Sequence, residues 1–182
     1  MISESKGIVL YHASYMTIKT VDLSMCKKRN DFGRGFYLTT NREQAERFVK
    51  TSIRKSGRSL KSGYVNIYRM SDFQGLQYHE FTTTDAEWLH CVCAFRREEL
   101  FPRAAVQWEG YDALIGKIAN DDTMAIITIY LQNGYGEVES AEAVSTAVRV
   151  LKPDRLKDQV CLKTERALSK ITFIDAIEVI PG

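Results

Sequence analysis

Apolar residues along the chain switch between a period of two and a period near 3.6, and the switches predict its elements. Residues 7–14, Gly-Ile-Val-Leu-Tyr-His-Ala-Ser, are rich in β-branched and aromatic side chains and read as a strand. Alternation puts Leu10 and His12 on one face of it, Tyr11 and Ala13 on the other. Residues 15–30 are polar and irregular, with Val21, Asp22 and Leu23 as a brief extended piece. Thr40 and Glu43 make a capping-box pattern that opens a helix, and Ala45, Phe48, Val49 and Ile53 follow at helical spacing to about Lys55. Residues 64–68 alternate as a strand, and residues 76–81 form a second extended piece. Thr84 and Glu87 repeat the capping-box pattern ahead of Trp88, Leu89, Val92, Cys93 and Phe95. Pro102 bounds the segment after that helix, and residues 111–116 read as a buried strand.

Residues 119–122, Ala-Asn-Asp-Asp, form a polar corner and helix cap. Helices are expected over 123–132 and 141–151, with Gly134 and Pro153 as stops. A short strand over 159–163 follows, Thr164 caps a further turn or two of helix, and 171–180 is the final strand. Strands and helices mix without regular βαβ alternation, so the expectation is an α+β fold in one domain over residues 1–182.

Composition changes this picture little. Hydrophobic residues make up 45% and charged residues 26%, ordinary globular values, and the net charge of +2 gives no strong signal for nucleic acid or a membrane. Cys26, Cys91, Cys93 and Cys161 lack disulfide-like spacing and read as free thiols of a reducing compartment. No apolar run approaches the roughly 20 residues that span a bilayer, and the first residues lack a signal-peptide layout, so a cytoplasmic location is expected.

Familiar catalytic signatures are missing. Gly33-x-Gly35 runs into a strand rather than out of one and lacks the third glycine of a dinucleotide fingerprint. Cys91 and Cys93, two apart on a helix, diverge, and His12, His79 and His90 lack zinc-protease spacing, so no metal is expected. The informative stretch is residues 31–40, Asp-Phe-Gly-Arg-Gly-Phe-Tyr-Leu-Thr-Thr. Its glycines let the backbone turn tightly and approach a ligand. Tyr37 stands where turn becomes strand, an exposed aromatic on a rigid edge, suited to a flat polar ligand. His12, near the end of its strand and followed by small Ala13 and Ser14, can hydrogen-bond a sugar hydroxyl.

Together, residues 11–14 and the block 32–37 resemble the NAD-binding half of ADP-ribosyltransferases, in the His-Tyr-Glu class that includes the poly(ADP-ribose) polymerases. His12-Ala13-Ser14 matches that class's His-Gly-Ser-like element, and Phe32-Gly33-Arg34-Gly35-Phe36-Tyr37 its Phe-Gly-Lys-Gly-Ile-Tyr element. The whole chain is also similar to a bacterial family of unknown function assigned to this fold, through blocks 31–40, 88–89, 111–122 and 159–161. The resemblance implies a split β-sheet with surrounding helices and a NAD cleft.

In such a cleft His12 would bond a ribose hydroxyl, the Ala13 backbone would pair with the nicotinamide amide, and Ser14 would contact the adenosine half. Gly35 would lie against the ligand and Tyr37 would pack on the nicotinamide ring. Phe48 falls where the family stacks a second aromatic, although it also fits the apolar stripe of its own helix. Ala45 departs from the polymerases, which have a serine there. The class's late glutamate, which favours the positive charge growing on the ribose, is matched here by Gln159, with Glu165 as the fallback. Glutamine carries no charge, so chain elongation is not expected.

The resulting expectation is a mono-ADP-ribosyltransferase of a bacterial toxin or effector type. It would use NAD as substrate, with His12, Tyr37 and Gln159 catalytic, a macromolecular acceptor, and an antitoxin as a further partner. Two alternatives stand beside it. One is a binding module that holds NAD or an ADP-ribosylated ligand. The other is a nucleic-acid-modifying member of the fold, using Arg47, Lys50, Arg54, Lys55, Arg58 and Lys61, which otherwise read as a solvated face.

Overall fold

The computed structural model describes residues 7–57, 59–99, 107–119, 121–151 and 157–180. The expectations resting on Arg58, Pro102, Asn120 and Pro153 lie outside the described residues. Within them the chain is α+β and forms two sheets. Strands β1 (Ile8–Ser14), β3 (Gly63–Met70) and β7 (Ile171–Val179) make an antiparallel sheet in the order β1-β3-β7. Strands β2 (Phe36–Leu38), β6 (Asp158–Leu162), β5 (Ala113–Lys117) and β4 (Tyr78–Glu80) make a mixed sheet in that order, with β4 parallel to β5. Helices α1 (Arg42–Lys55), α2 (Ala86–Arg96), α3 (Asp121–Leu131), α4 (Ala141–Val150) and the short α5 (Glu165–Leu168) complete the described elements.

Alternation along each strand sorts the side chains into layers. Leu10, Tyr68 and Met70 of the first sheet meet Phe36, Leu38, Ala113, Val160 and Leu162 of the second, so the sheets pack face to face. The outer face of the first sheet, with Tyr11, Ala13, Val65 and Val179, is covered by Ala45, Val49 and Ile53 of α1. The outer face of the second, with Leu114 and Cys161, is buried under α2, α3 and α4 through Trp88, Leu89, Val92, Ile127, Tyr130, Ala143 and Ala147. Helix α2 is apolar almost all round because it is packed on nearly every side. A further tie comes from Asp112, whose carboxylate takes bonds from Thr164 Oγ1 (2.7 Å), the Gln77 N–H (2.8 Å) and the Arg166 guanidinium. Burial alone would raise the Asp112 pKa, but these donors outweigh it and hold the group below the usual carboxylate range.

Both expected capping boxes are off by one residue, for the same reason. Asn41, not Thr40, caps α1 by accepting from the Gln44 N–H, and Asp85, not Thr84, caps α2 by accepting from the Trp88 N–H. Asn and Asp reach the N3 amide at least as well as Thr and outrank it as caps, so the neighbour wins. The piece expected to be extended at 21–23 instead enters a 3₁₀ turn, Leu23–Met25, capped by Asp22.

Replacing Asn41 by Ala therefore lowers stability by about 1 kcal/mol. Thr40→Ala stays within about 0.5 kcal/mol of wild type. Urea unfolding of the two variants measures both.

Candidate functional site

Among the described residues, the two sheets are joined by one backbone bridge. The Tyr11 N–H donates to Thr39 O at 2.8 Å, and the Thr39 N–H donates to Tyr11 O at 2.9 Å. This lays the end of β2 along the edge of β1 that β3 does not use. Backbone groups alternate between the two sides of a strand, so the Ala13 N–H and C=O point to that same edge, one step beyond the bridge. Among the described residues neither has a hydrogen-bond partner. Ser14 follows, with its Oγ accepting from the Met16 N–H at 3.3 Å.

His12 sits at this junction. Its Nδ1 lies 2.7 Å from the Tyr37 carbonyl oxygen, and its ring lies 4.3 Å, centroid to centroid, from Phe36. A carbonyl only accepts, so Nδ1 carries the proton and Nε2 of the neutral ring is an acceptor. Desolvation lowers the His12 pKa; the bond to Tyr37 opposes this without reversing it. Tyr37 is less open than the sequence indicates. Its hydroxyl accepts from the Phe32 N–H (2.9 Å) and donates to Gly33 O (2.8 Å), so it closes the preceding turn. Burial, reinforced by the neighbouring Cys161 thiol, raises its pKa well above the ordinary phenol value.

The glycines of this turn answer to packing. Gly33 has φ +78°, and a Cβ there would meet the Phe95 ring at 2.6 Å. A Cβ on Gly35 would lie 2.4 Å from Cys161 Sγ, so Gly35 is what lets β2 close on β6. Lys163 Nζ donates to Phe32 O at 2.6 Å and stands over the Phe95 ring, capping the turn from behind; burial lowers its pKa.

Gln159 lies on the same face of the mixed sheet as Tyr37, since Tyr37 pairs with Cys161 two residues on. It is 4% exposed. Its Nε2 donates to Asp31 Oδ2 (2.9 Å) and Lys117 O (3.2 Å). Asp31, buried, also accepts from Arg96 Nε (2.9 Å) and Nη2 (2.6 Å) at Oδ1 and from the Ala119 N–H (2.8 Å) at Oδ2. Asp31 heads the motif block in the sequence but signals no role there; Arg96 is not legible as its partner, because helix and turn are far apart in the chain. Phe48 lies off the buried stripe of α1 and is 58% exposed, so packing into the core of its own helix is not its place. Glu165 is exposed in the first turn of α5, past the end of β6. Arg47, Lys50, Arg54, Lys55 and Lys61 are exposed, as a solvated face would be. All four cysteines are free.

These elements define an α+β protein with two face-to-face sheets and a polar junction, centred on His12, where they join. Residues 8–173 match the model of a family described as a protein of unknown function (DUF3990), and the chain belongs to that family. No curated protein and no solved structure matches the chain. Among the described residues, no group of three His, Cys, Asp or Glu side chains is placed to hold a metal ion, and no helix is long and apolar enough to cross a membrane.

The lowered His12 pKa fixes a sign. Above about pH 6.5, the ordinary histidine value, His12 is neutral folded and unfolded and adds no pH dependence. Below it the unfolded chain takes up the proton first, so stability drops as the pH is lowered, until the lower folded pKa is passed. His90, also lowered by burial, acts in the same direction. Urea unfolding between about pH 7 and about pH 5 should show His12→Gln losing part of the wild-type slope; identical slopes would contradict the neutral assignment.

Proposed function

We propose that the protein is a mono-ADP-ribosyltransferase that takes NAD as substrate and modifies a macromolecular acceptor, in the manner of a toxin or effector enzyme. The observation that carries the reading is the open edge of β1 at Ala13, next in the chain to His12, whose Nε2 is left as an acceptor by the Nδ1 bond to Tyr37 O. A primary carboxamide offers one acceptor and two donors, which complement the Ala13 N–H and C=O. A ribose hydroxyl further along the same ligand would donate to His12 Nε2. NAD joins such a carboxamide to such a ribose.

In this reading Tyr37 supplies a ring fixed at its hydroxyl end by Phe32 and Gly33, so that little order is lost on stacking. Phe48 supplies a second, exposed ring. NAD brings a scissile bond between ribose and nicotinamide, whose electron pair leaves with the nicotinamide. The chain's part is to align that bond, exclude water and place the Gln159 oxygen towards the ribose, where a partial negative charge favours the positive charge that grows there. An antitoxin partner would cover this mouth.

A second reading, a module that binds NAD or ADP-ribose without cleaving it, is favoured by the absence of a carboxylate at Gln159 and by the engagement of its amide hydrogens.

Incubation with nicotinamide-labelled and adenylate-labelled NAD, with and without cell lysate, tests both. Nicotinamide release and label transfer are expected for wild type, with loss in Tyr37→Ala and Gln159→Ala. Phe48→Ala, which removes no core contact, should weaken NAD binding about tenfold at unchanged stability. Activity surviving all three changes would remove the site assignment. Binding without turnover would favour the module, and label lost to nuclease rather than protease would point to a nucleic-acid acceptor.

A further inference from the structure

Gln159 is the residue on which the chemistry of the proposed NAD reading turns, and the structure constrains it more tightly than its position in the chain implies. A glutamine amide has two hydrogens to donate and one oxygen to accept with. Both hydrogens of Gln159 face acceptors: Asp31 Oδ2 at 2.9 Å and Lys117 O at 3.2 Å. Turning the amide over would set its oxygen against a carboxylate and a carbonyl, oxygen facing oxygen with no proton between them. The orientation is thus dictated by chemistry. Asp31 cannot swing away to relieve it, because Arg96 holds Oδ1 and the Ala119 N–H shares Oδ2. No donor among the described residues reaches Gln159 Oε1.

We propose that Asp31 is a positioning residue for Gln159: together with the Lys117 carbonyl it locks the amide so that Gln159 can offer a ligand only an acceptor oxygen, matched to a hydroxyl donor such as that of a nucleotide ribose. A carboxylate bonded to the amide hydrogens also polarises the amide and draws negative charge to Oε1, since hydrogen bonds in a chain strengthen one another. The charge that a glutamate would carry directly is held one residue further back, on Asp31, and is relayed through a neutral side chain. The lock is a property of the fold; the ribose assignment rests on the proposed NAD reading.

The test uses the full chain and four forms: wild type, Asp31→Asn, Gln159→Glu and the exchange variant that combines Asp31→Asn with Gln159→Glu. In wild type, the Gln159 side-chain amide protons should exchange with solvent about a hundredfold more slowly than those of an exposed glutamine. In Asp31→Asn, where one oxygen becomes an amide nitrogen, that protection should be lost while the fold persists. Gln159→Glu should be the least stable form, because two carboxylates then face each other. The exchange variant should recover stability, because the amide introduced by Asp31→Asn can donate to the new carboxylate.

Titration with NAD should move the Gln159 carbonyl carbon resonance, and kcat for NAD cleavage should fall about tenfold in Asp31→Asn with KM nearly unchanged. Solvent-rate exchange of the Gln159 amide in wild type, or full protection retained in Asp31→Asn, would overturn the lock. If Asp31→Asn does not fold, recovery of the fold in the exchange variant supports the pairing and its failure to recover overturns it. A protected wild-type amide together with no NAD binding would remove the NAD reading and leave the lock standing.

Discussion

A buried carboxylate is tolerable only when nearly every lone pair on it is used, and the corner of this fold that carries the motif block is built to meet that demand for Asp31. Two guanidinium nitrogens arrive from α2, one backbone amide from the turn after β5, and one side-chain amide from β6. Four segments distant in sequence must therefore converge before the charge is satisfied. Deleting one partner of a buried charge typically costs about 3–5 kcal/mol, far more than the pair gains over an apolar substitute. The group specifies an arrangement more than it stabilises one. Its neighbours in the chain inherit the precision: Phe32 and Gly33 are fixed by Lys163 and the Tyr37 hydroxyl, and β2, only three residues long, starts from a turn that cannot drift.

The site that results has an inside and an outside. On the inside, Tyr37, Cys161 and Gln159 share the face of the mixed sheet that is packed under the helices, where the Tyr37 hydroxyl bonds the turn backbone and the Gln159 amide hydrogens face Asp31 and the Lys117 carbonyl. Burial pushes the Cys161 thiol up to about 12, so it is no nucleophile at neutral pH. On the outside, the edge of β1 keeps the backbone of Ala13 open, and the preceding His12 has its Nδ1 bonded to the Tyr37 carbonyl, which leaves Nε2 as an acceptor. The open backbone of β1 and the bonded polar groups of β2 and β6 thus lie on neighbouring strands that the Tyr11–Thr39 bridge holds in register.

How much of this was legible beforehand depended on whether the signal was local. Strand and helix periods at 8–14, 42–55 and 86–96 were local and strong, and the elements stand where the pattern put them to within a few residues. Cap identity was not, because two adjacent residues competed for one amide and the pattern named the weaker. The openness of Tyr37 was overestimated because nothing in the sequence shows that a hydroxyl will reach back over a tight turn. Phe48 fitted two roles until its angular position, beside but not within the stripe of Ala45, Val49 and Ile53, left the ring in solvent. The order of strands and the bond from Asp31 to Gln159 join opposite ends of the chain, and no window of residues holds both.

The three-residue strand β2 pairs on one side with β6 and on the other only through the bridge to β1. Its principal partner is thus synthesised last but one among the strands. Before β6 is made, the motif block has only the Tyr11–Thr39 bridge to β1 as a strand contact, and Asp31 lacks its Gln159 partner. Assembly of this corner is a late, nonlocal event, slow in the way that long-range strand pairing is slow. The corner that carries Asp31 and Tyr37 is therefore complete only once β6 has been made, an order of assembly written into the connectivity of the sheet.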